Sequence, residues 1–101
     1  MSGGDANFIA EMIGIFKEQI DEYSELMPRL LREKDYESLS KLAHKAKSSV
    51  AVMGMTRVAD LLKELEILAH EGSEIERYES MIGDFMEQGR LAVRELEHIN
   101  G

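Results

Sequence analysis

Apolar residues recur at steps of three and four along most of the chain, the spacing that gathers them on one face of an α-helix. Phe8, Ile9, Met12, Ile13, Phe16, Ile20, Tyr23, Met27, Leu30 and Leu31 form the first such stripe. Asp5, ahead of it, is a good N-cap residue. Pro28 has no N–H to offer the carbonyl of Ser24, so the first helical stretch is expected to be kinked or broken near Ser24. A second helix is predicted from Asp35 to about Met53, with Gly54 as its stop. Thr56 is the expected cap of a third, which carries Val58, Leu61, Leu62, Leu65 and Leu68 and closes at Gly72. Ser73 is the expected cap of a fourth, with Ile75, Tyr78, Ile82, Phe85, Val93, Leu96 and Ile99 as its stripe. Amphipathic helices joined by short turns pack as antiparallel neighbours. The pattern predicts an all-α, up-down antiparallel four-helix bundle.

A length of 101 residues suits one domain, and no repeat, linker or low-complexity tract marks a second. The single helical domain is placed at residues 5–100. Residues 1–4 are set aside as a start that is disordered or foreign to the domain. Acids outnumber bases 20 to 12, a net charge of -8. Phosphate-backbone contacts need the opposite balance, so no nucleic-acid partner is expected. Cysteine is absent, which excludes disulfides, thiol catalysis and cysteine zinc sites. No apolar run approaches the roughly 18 residues of a membrane span, and the amino end lacks a signal-peptide layout. The expectation is a cytoplasmic domain that makes no membrane contact of its own.

The second helix breaks the pattern of an anonymous bundle. With about 100° per residue and His44 at zero, Leu39, Leu42, Ala43, Ala46, Ser49, Val50 and Met53 fall between roughly 140° and 260°. That arc is the predicted core face. Ser40, Lys41, Lys47, Ser48 and Ala51 lie within about 60° of His44, so the imidazole is expected to stand in water among them. From Ser38 to Ala59 there is no Asp or Glu, but there are Lys41, Lys45, Lys47 and Arg57. A cationic island on an acidic protein attracts an anion or an acidic surface.

The chemistry open to this group is narrow. A neutral imidazole is a competent nucleophile near pH 7. Its N-phosphoryl product is anionic, and Lys47 one turn away can stabilise the added charge. Gly-rich phosphate cradle, nucleophile elbow and nucleotide motif are all missing. Such a site can hold or relay a phosphoryl group but cannot draw one from ATP.

The run Leu42-Ala43-His44-Lys45-Ala46-Lys47-Ser48-Ser49, followed by Met53-Gly54-Met55, resembles the signature of the histidine phosphotransfer (HPt) domain family. That signature has an Ala-His pair, a Lys three residues after the His, a small Gly-Ser pair and a Leu-Gly-Ala-like stop. Gly4-Asp5-Ala6-Asn7-Phe8-Ile9 through Phe16, and Asp35-Tyr36, are similar to the family as well. The resemblance implies a four-helix bundle that passes phosphate between receiver-domain aspartates in a multistep phosphorelay, often as a module of a hybrid sensor histidine kinase. It puts His44 at the phosphoacceptor position and Lys47 at the phosphate-supporting one. Ser49 matches the family serine. Ser48 stands where glycine is usual and Ala46 where leucine is common, so docking of the partner at Ser48 is expected to be altered.

From these readings Lys41, Lys45, Ser48 and Ala51 are the expected partner-binding residues, and a response-regulator receiver domain is the expected partner. The domain is expected to be monomeric and, within a membrane-anchored kinase, to lie on the cytoplasmic side. No cofactor and no metal are expected in this chain; Mg2+ would come with the receiver. One rival is a di-metal bundle, because Glu95 and His98 have the Glu-x-x-His spacing, but a second such pair is missing. His70, beside Gly72, is read as a favourable charge at a helix C-terminus. The remaining alternative is a helical adaptor that binds a receiver or another signalling protein without carrying phosphate.

Overall fold

Local capping sets some of the helix boundaries in this chain, and packing between helices sets the rest. The computed structural model describes the backbone of residues 2–100 and the side chains of residues 8–98. Four helices result: α1 (Ser2–Arg32), α2 (Tyr36–Val52), α3 (Thr56–Glu71) and α4 (Tyr78–Asn100), with a single 3-10 turn at Ile75–Arg77 ahead of α4. Met1 lies outside the described residues, and Ser2–Gly4 already belong to α1. The helix therefore runs through Asp5, which is not its N-cap.

Three of the helix ends share one device. The N–H groups of Lys34 and Asp35 bond the carbonyls of Leu31 and Leu30 at the end of α1. Gly54 and Met55 do the same to Ala51 and Val50, and Gly72 and Ser73 to Ala69 and Leu68. This closure needs a left-handed residue at its centre. Gly54 (φ 77°) and Gly72 (φ 68°) supply it without strain, whereas Lys34 adopts φ 58° with a full side chain.

Several boundaries differ from expectation for physical reasons. Pro28 does not break α1, which continues to Arg32. Met27 before it is fully buried, and Leu30 and Leu31 after it pack on the core, so tertiary contacts on both sides hold the last turns helical. Asp35 caps α2 as expected, accepting from the Ser38 N–H at 3.2 Å. At α3 the N-cap is Met55, with no side-chain bond, and Thr56 is the first helical residue. Ser73 does not cap α4. Its N–H closes α3, and its carbonyl lies 2.6 Å from the buried Tyr78 hydroxyl, which also reaches the carbonyl of Leu68.

Pairings between helices fix the topology. Lys17 meets Glu97 and Tyr23 packs near Phe85, so α1 and α4 are antiparallel. Tyr23 meets Ser49 across α1 and α2; Ser40 meets Glu66 across α2 and α3; Arg57 meets Asp84 across α3 and α4, and Arg77, in the turn ahead of α4, meets Glu64 of α3. The result is the up-down-up-down bundle. Its core comprises Phe16, Ile20, Tyr23 and Met27 of α1, Leu39, Ala43, Ala46 and Val50 of α2, Val58, Leu62, Leu65 and Leu68 of α3, and Tyr78, Ile82, Phe85 and Val93 of α4. Leu42, Ser49 and Met53 of the expected core arc are only partly buried. Phe8 and Ile9 are exposed, because α1 outruns its neighbours: the carboxyl end of α2 is level with Met12 to Gln19. Ile75 is also exposed, in the turn before α4.

Candidate functional site

His44 sits midway along α2 with 60% of its side chain exposed. The helical phase that puts Leu39, Ala43, Ala46 and Val50 fully inside turns it outward. Its Nδ1 lies 2.9 Å from Oε2 of Glu66 on α3. The other carboxylate oxygen of Glu66 is 3.5 Å from Nζ of Lys47. One carboxylate therefore joins the two residues singled out in the sequence, and it comes from a different helix.

The reach of Glu66 follows from the register of α2 against α3. Ser40, one turn before His44, donates its hydroxyl to the carbonyl of Glu66 at 2.8 Å. This bond buries Ser40, which the helical wheel had placed in water beside His44. Lys47 is likewise only 27% exposed. Both lie on the side of His44 that α3 covers, so the water-facing arc is narrower there than one helix alone implies. Ser48 stays exposed on the other side, and Lys41, Lys45 and Ala51 are exposed as well.

Charge at the site is set by this contact. Burial alone would push the Glu66 carboxyl up, but the hydrogen bond and charge of His44, with the charge and hydrogen bond of Lys47, outweigh it and hold the group below the ordinary glutamate value. Glu66 is thus an anion at neutral pH. An ionised carboxylate only accepts, so the shared hydrogen must sit on Nδ1 of His44. In the neutral ring Nε2 then keeps its lone pair, the state a nucleophile requires.

The cationic island is smaller than the sequence suggests. Lys47 is paired with Glu66, and Arg57 lies 3.6 Å from Asp84 on α4. Lys41 and Lys45 remain exposed beside the imidazole. Two grooves flank it. One, of about 500 Å³, runs between α2 and α3 past Ser40, Lys41, His44, Glu66 and His70. The other, of about 310 Å³, lies between α1 and α2 and is lined by Met12, Ile15, Phe16, Ser48, Val52 and Met53. Ile15 and Val52 there are 56% and 73% exposed, large apolar side chains left in water. His70 is in the last turn of α3, at the helix C-terminus, and also faces the first groove. His98 is exposed near the end of α4.

Glu66 and the α1 contribution were absent from the sequence-based site. A signal for Glu66 existed. Counting ten residues either way from Gly54, the α2–α3 stop, reaches His44 and Glu64, so an antiparallel hairpin brings the acids at 64 and 66 opposite the imidazole. Ile15 carried no comparable signal, since nothing in its own helix shows that α2 leaves it uncovered.

Residues 11–98 match the family model of the Hpt domain. The chain belongs to the Hpt domain family. It is 27% identical over 71 residues to the phosphorelay intermediate protein YPD1 of Candida albicans (strain SC5314 / ATCC MYA-2876), an alignment covering 70% of this chain and 39% of that protein. The chain thus spans well under half the length of that relative. No solved structure matches it significantly. Among the described residues no helix is long and apolar enough to cross a membrane.

Proposed function

We propose that this domain is a phosphoryl carrier in a multistep phosphorelay, with His44 as the phosphoacceptor. The observation that carries the reading is the Nδ1–Glu66 contact on an otherwise exposed imidazole, within a chain of the Hpt family. The donor is the aspartyl phosphate of a receiver domain. Nε2 of His44 attacks phosphorus in line as the bond to the aspartate oxygen breaks, and the carboxylate leaves with the electron pair. Lys47 swings from Glu66 towards the new phosphoryl oxygens, where one positive charge is most useful. Mg2+ is supplied by the receiver.

Docking uses the groove between α1 and α2. Met12, Ile15, Val52 and Met53 offer the apolar contact, and Ser48 stands between them and His44. Lys41, Lys45 and Ala51 complete the exposed surface around the imidazole. Apolar contact with a cationic margin suits a receiver, whose phosphorylation site is a cluster of acids.

The test uses a phosphorylated receiver with Mg2+ and labelled phosphate. Transfer to this domain should give an acid-labile, base-stable adduct, lost in His44→Gln while the helical signal and melting temperature hold. Label that persists in His44→Gln, or that resides on His70 or His98, would overturn the assignment. Receiver binding without any transfer would replace it with the adaptor reading.

A further inference from the structure

The outer face of α4 lies far from His44. Like α2, α4 packs against α1 and α3, so the two stand across the bundle from one another. With about 100° per residue, Gly83, Glu87, Arg90 and Arg94 fall within a roughly 60° arc opposite the buried Phe85. Met86 borders that arc on one side and Leu91 on the other. These six residues line a shallow groove of about 370 Å³. Met86 is partly buried and the other five are exposed.

Two features of this face find no answer within one chain. Arg90 and Arg94, one turn apart, repel each other along the helix. Among the described residues, neither they nor Glu87 belong to any ion pair. Leu91 meanwhile holds a large apolar side chain in water. The order of the residues supplies the answer. About a midpoint between Gln88 and Gly89, Glu87 and Arg90 are equidistant, and so are Gly83 and Arg94. Consider a two-fold axis through that midpoint, perpendicular to a pair of antiparallel α4 helices. It sets Glu87 of each copy opposite Arg90 of the other. It also lays each Arg94 over Gly83 of the other copy, where there is no side chain and open space beyond the backbone. Such an axis keeps like flanks together, so Met86 meets Met86 and Leu91 meets Leu91.

We propose that this face of α4 is a self-association surface, through which two copies form a two-fold antiparallel dimer in place of the monomer expected from the sequence. The paired charges set the register, and the apolar flanks keep water from the seam on both sides. About three turns of helix cover less than the roughly 800 Å² per partner of a standard interface, so the dimer is weak and reversible. Half-dissociation is expected at about 0.1–1 mM. Both His44 side chains face away from the seam and stay open to partners. The proposal stands apart from what His44 carries.

Sedimentation velocity of the full chain, from about 10 μM to about 1 mM, tests it. Physiological salt screens the net charge of -8, which would otherwise drive copies apart. The parent should move from monomer towards dimer mass across this range. Glu87→Arg makes both central pairs repulsive, and Arg90→Glu does the same with the opposite sign. Each alone should weaken association about tenfold or more. Mixed in equal amounts, the two variants should associate again, because each central pair then joins an arginine to a glutamate. The double variant Glu87→Arg/Arg90→Glu should dimerise like the parent. Circular dichroism should show the same helix content throughout, since both positions are exposed. A parent that stays monomeric at the highest concentration would overturn the proposal. A dimer that survives both single reversals would place the contact elsewhere and overturn it too, as would a mixture that fails to associate.

Discussion

Ile20 of α1 and Gly89 of α4 approach so closely that a Cβ added to Gly89 would lie 3.0 Å from Cδ1 and 3.1 Å from Cγ2 of Ile20. Ile20 is buried and branched at Cβ, so it has little freedom to move aside. Gly83, two turns earlier on α4, has nothing within 4 Å of the same added atom. Gly83→Ala should therefore raise stability by about 0.5–1 kcal/mol through helix propensity. Gly89→Leu should lower it by about 1–3 kcal/mol through overpacking. Thermal or urea unfolding of the two variants checks the contrast.

Lys34 holds a left-handed conformation at the end of α1, where Gly54 and Gly72 serve at the other two ends. Lys34→Gly relieves the side-chain clash while keeping the bonds to Leu31 and Leu30. Stability should rise by up to about 1 kcal/mol. A lower denaturation midpoint would show that the lysine side chain contributes more than its backbone costs.

Lys47 distinguishes charge from packing. Its pair with Glu66 is part-exposed, so Lys47→Ala should cost no more than about 1 kcal/mol. Leu65→Ala, in the sealed core, should cost roughly 2–5 kcal/mol. Phosphotransfer should respond in the opposite order, slowed by Lys47→Ala and little changed in the folded fraction of Leu65→Ala. Stopped-flow transfer from one labelled receiver, beside melting curves, reads both.

Ser48 donates its hydroxyl to the carbonyl of His44 at 3.4 Å and stands exposed at the edge of the apolar groove. Ser48→Gly should cost up to about 1 kcal/mol of stability yet leave receiver affinity equal or tighter. Ser48→Leu should fold normally and block transfer by holding the receiver's aspartate away from Nε2. Equal transfer rates for Ser48→Leu and the parent would mean that the partner docks elsewhere.

Asp35 caps α2, and its hydrogen bonds with Ser38 hold its carboxyl below the ordinary value of 3.8. In the unfolded chain the group titrates at that ordinary value. The ionised cap therefore contributes stability above it, and the contribution fades as pH falls through the lowered folded value. Asp35→Asn keeps an acceptor for the Ser38 N–H without titrating. Its melting temperature should vary less than the parent's across that acidic window, and Asp35→Ala should melt lower at neutral pH.

The parts of the fold that were legible in the sequence are those set by one helix at a time. The 3.6-residue period alone turned Leu39, Ala43, Ala46 and Val50 inward and His44 outward. Asp35, Gly54 and Gly72 marked boundaries because capping needs only local geometry. What depended on a second helix was not legible from the stripe. Pro28 pointed to a break that packing of Met27 and Leu30 overrode. Ser40 looked solvated until α3 offered it the carbonyl of Glu66. Phe8 looked buried because its spacing is right, although α2 ends level with Met12 to Gln19 on α1.

The same division between helices has a functional corollary. The imidazole, its carboxylate and its lysine all belong to the α2–α3 hairpin, whose register is pinned by the Ser40–Glu66 bond. The apolar lining of the groove between α1 and α2, the proposed docking site, is shared instead with α1, through Met12 and Ile15. Under the proposed function, recognition therefore draws on a piece of chain that the reactive residues do not use. If receivers dock there as proposed, substitutions along the outer face of α1 should redirect the domain to another receiver without disturbing His44, Lys47 and Glu66. One residue inserted within α3 just before Glu66 would turn that carboxylate by about 100° about the helix axis and disconnect it from the ring, while the groove between α1 and α2 keeps its lining.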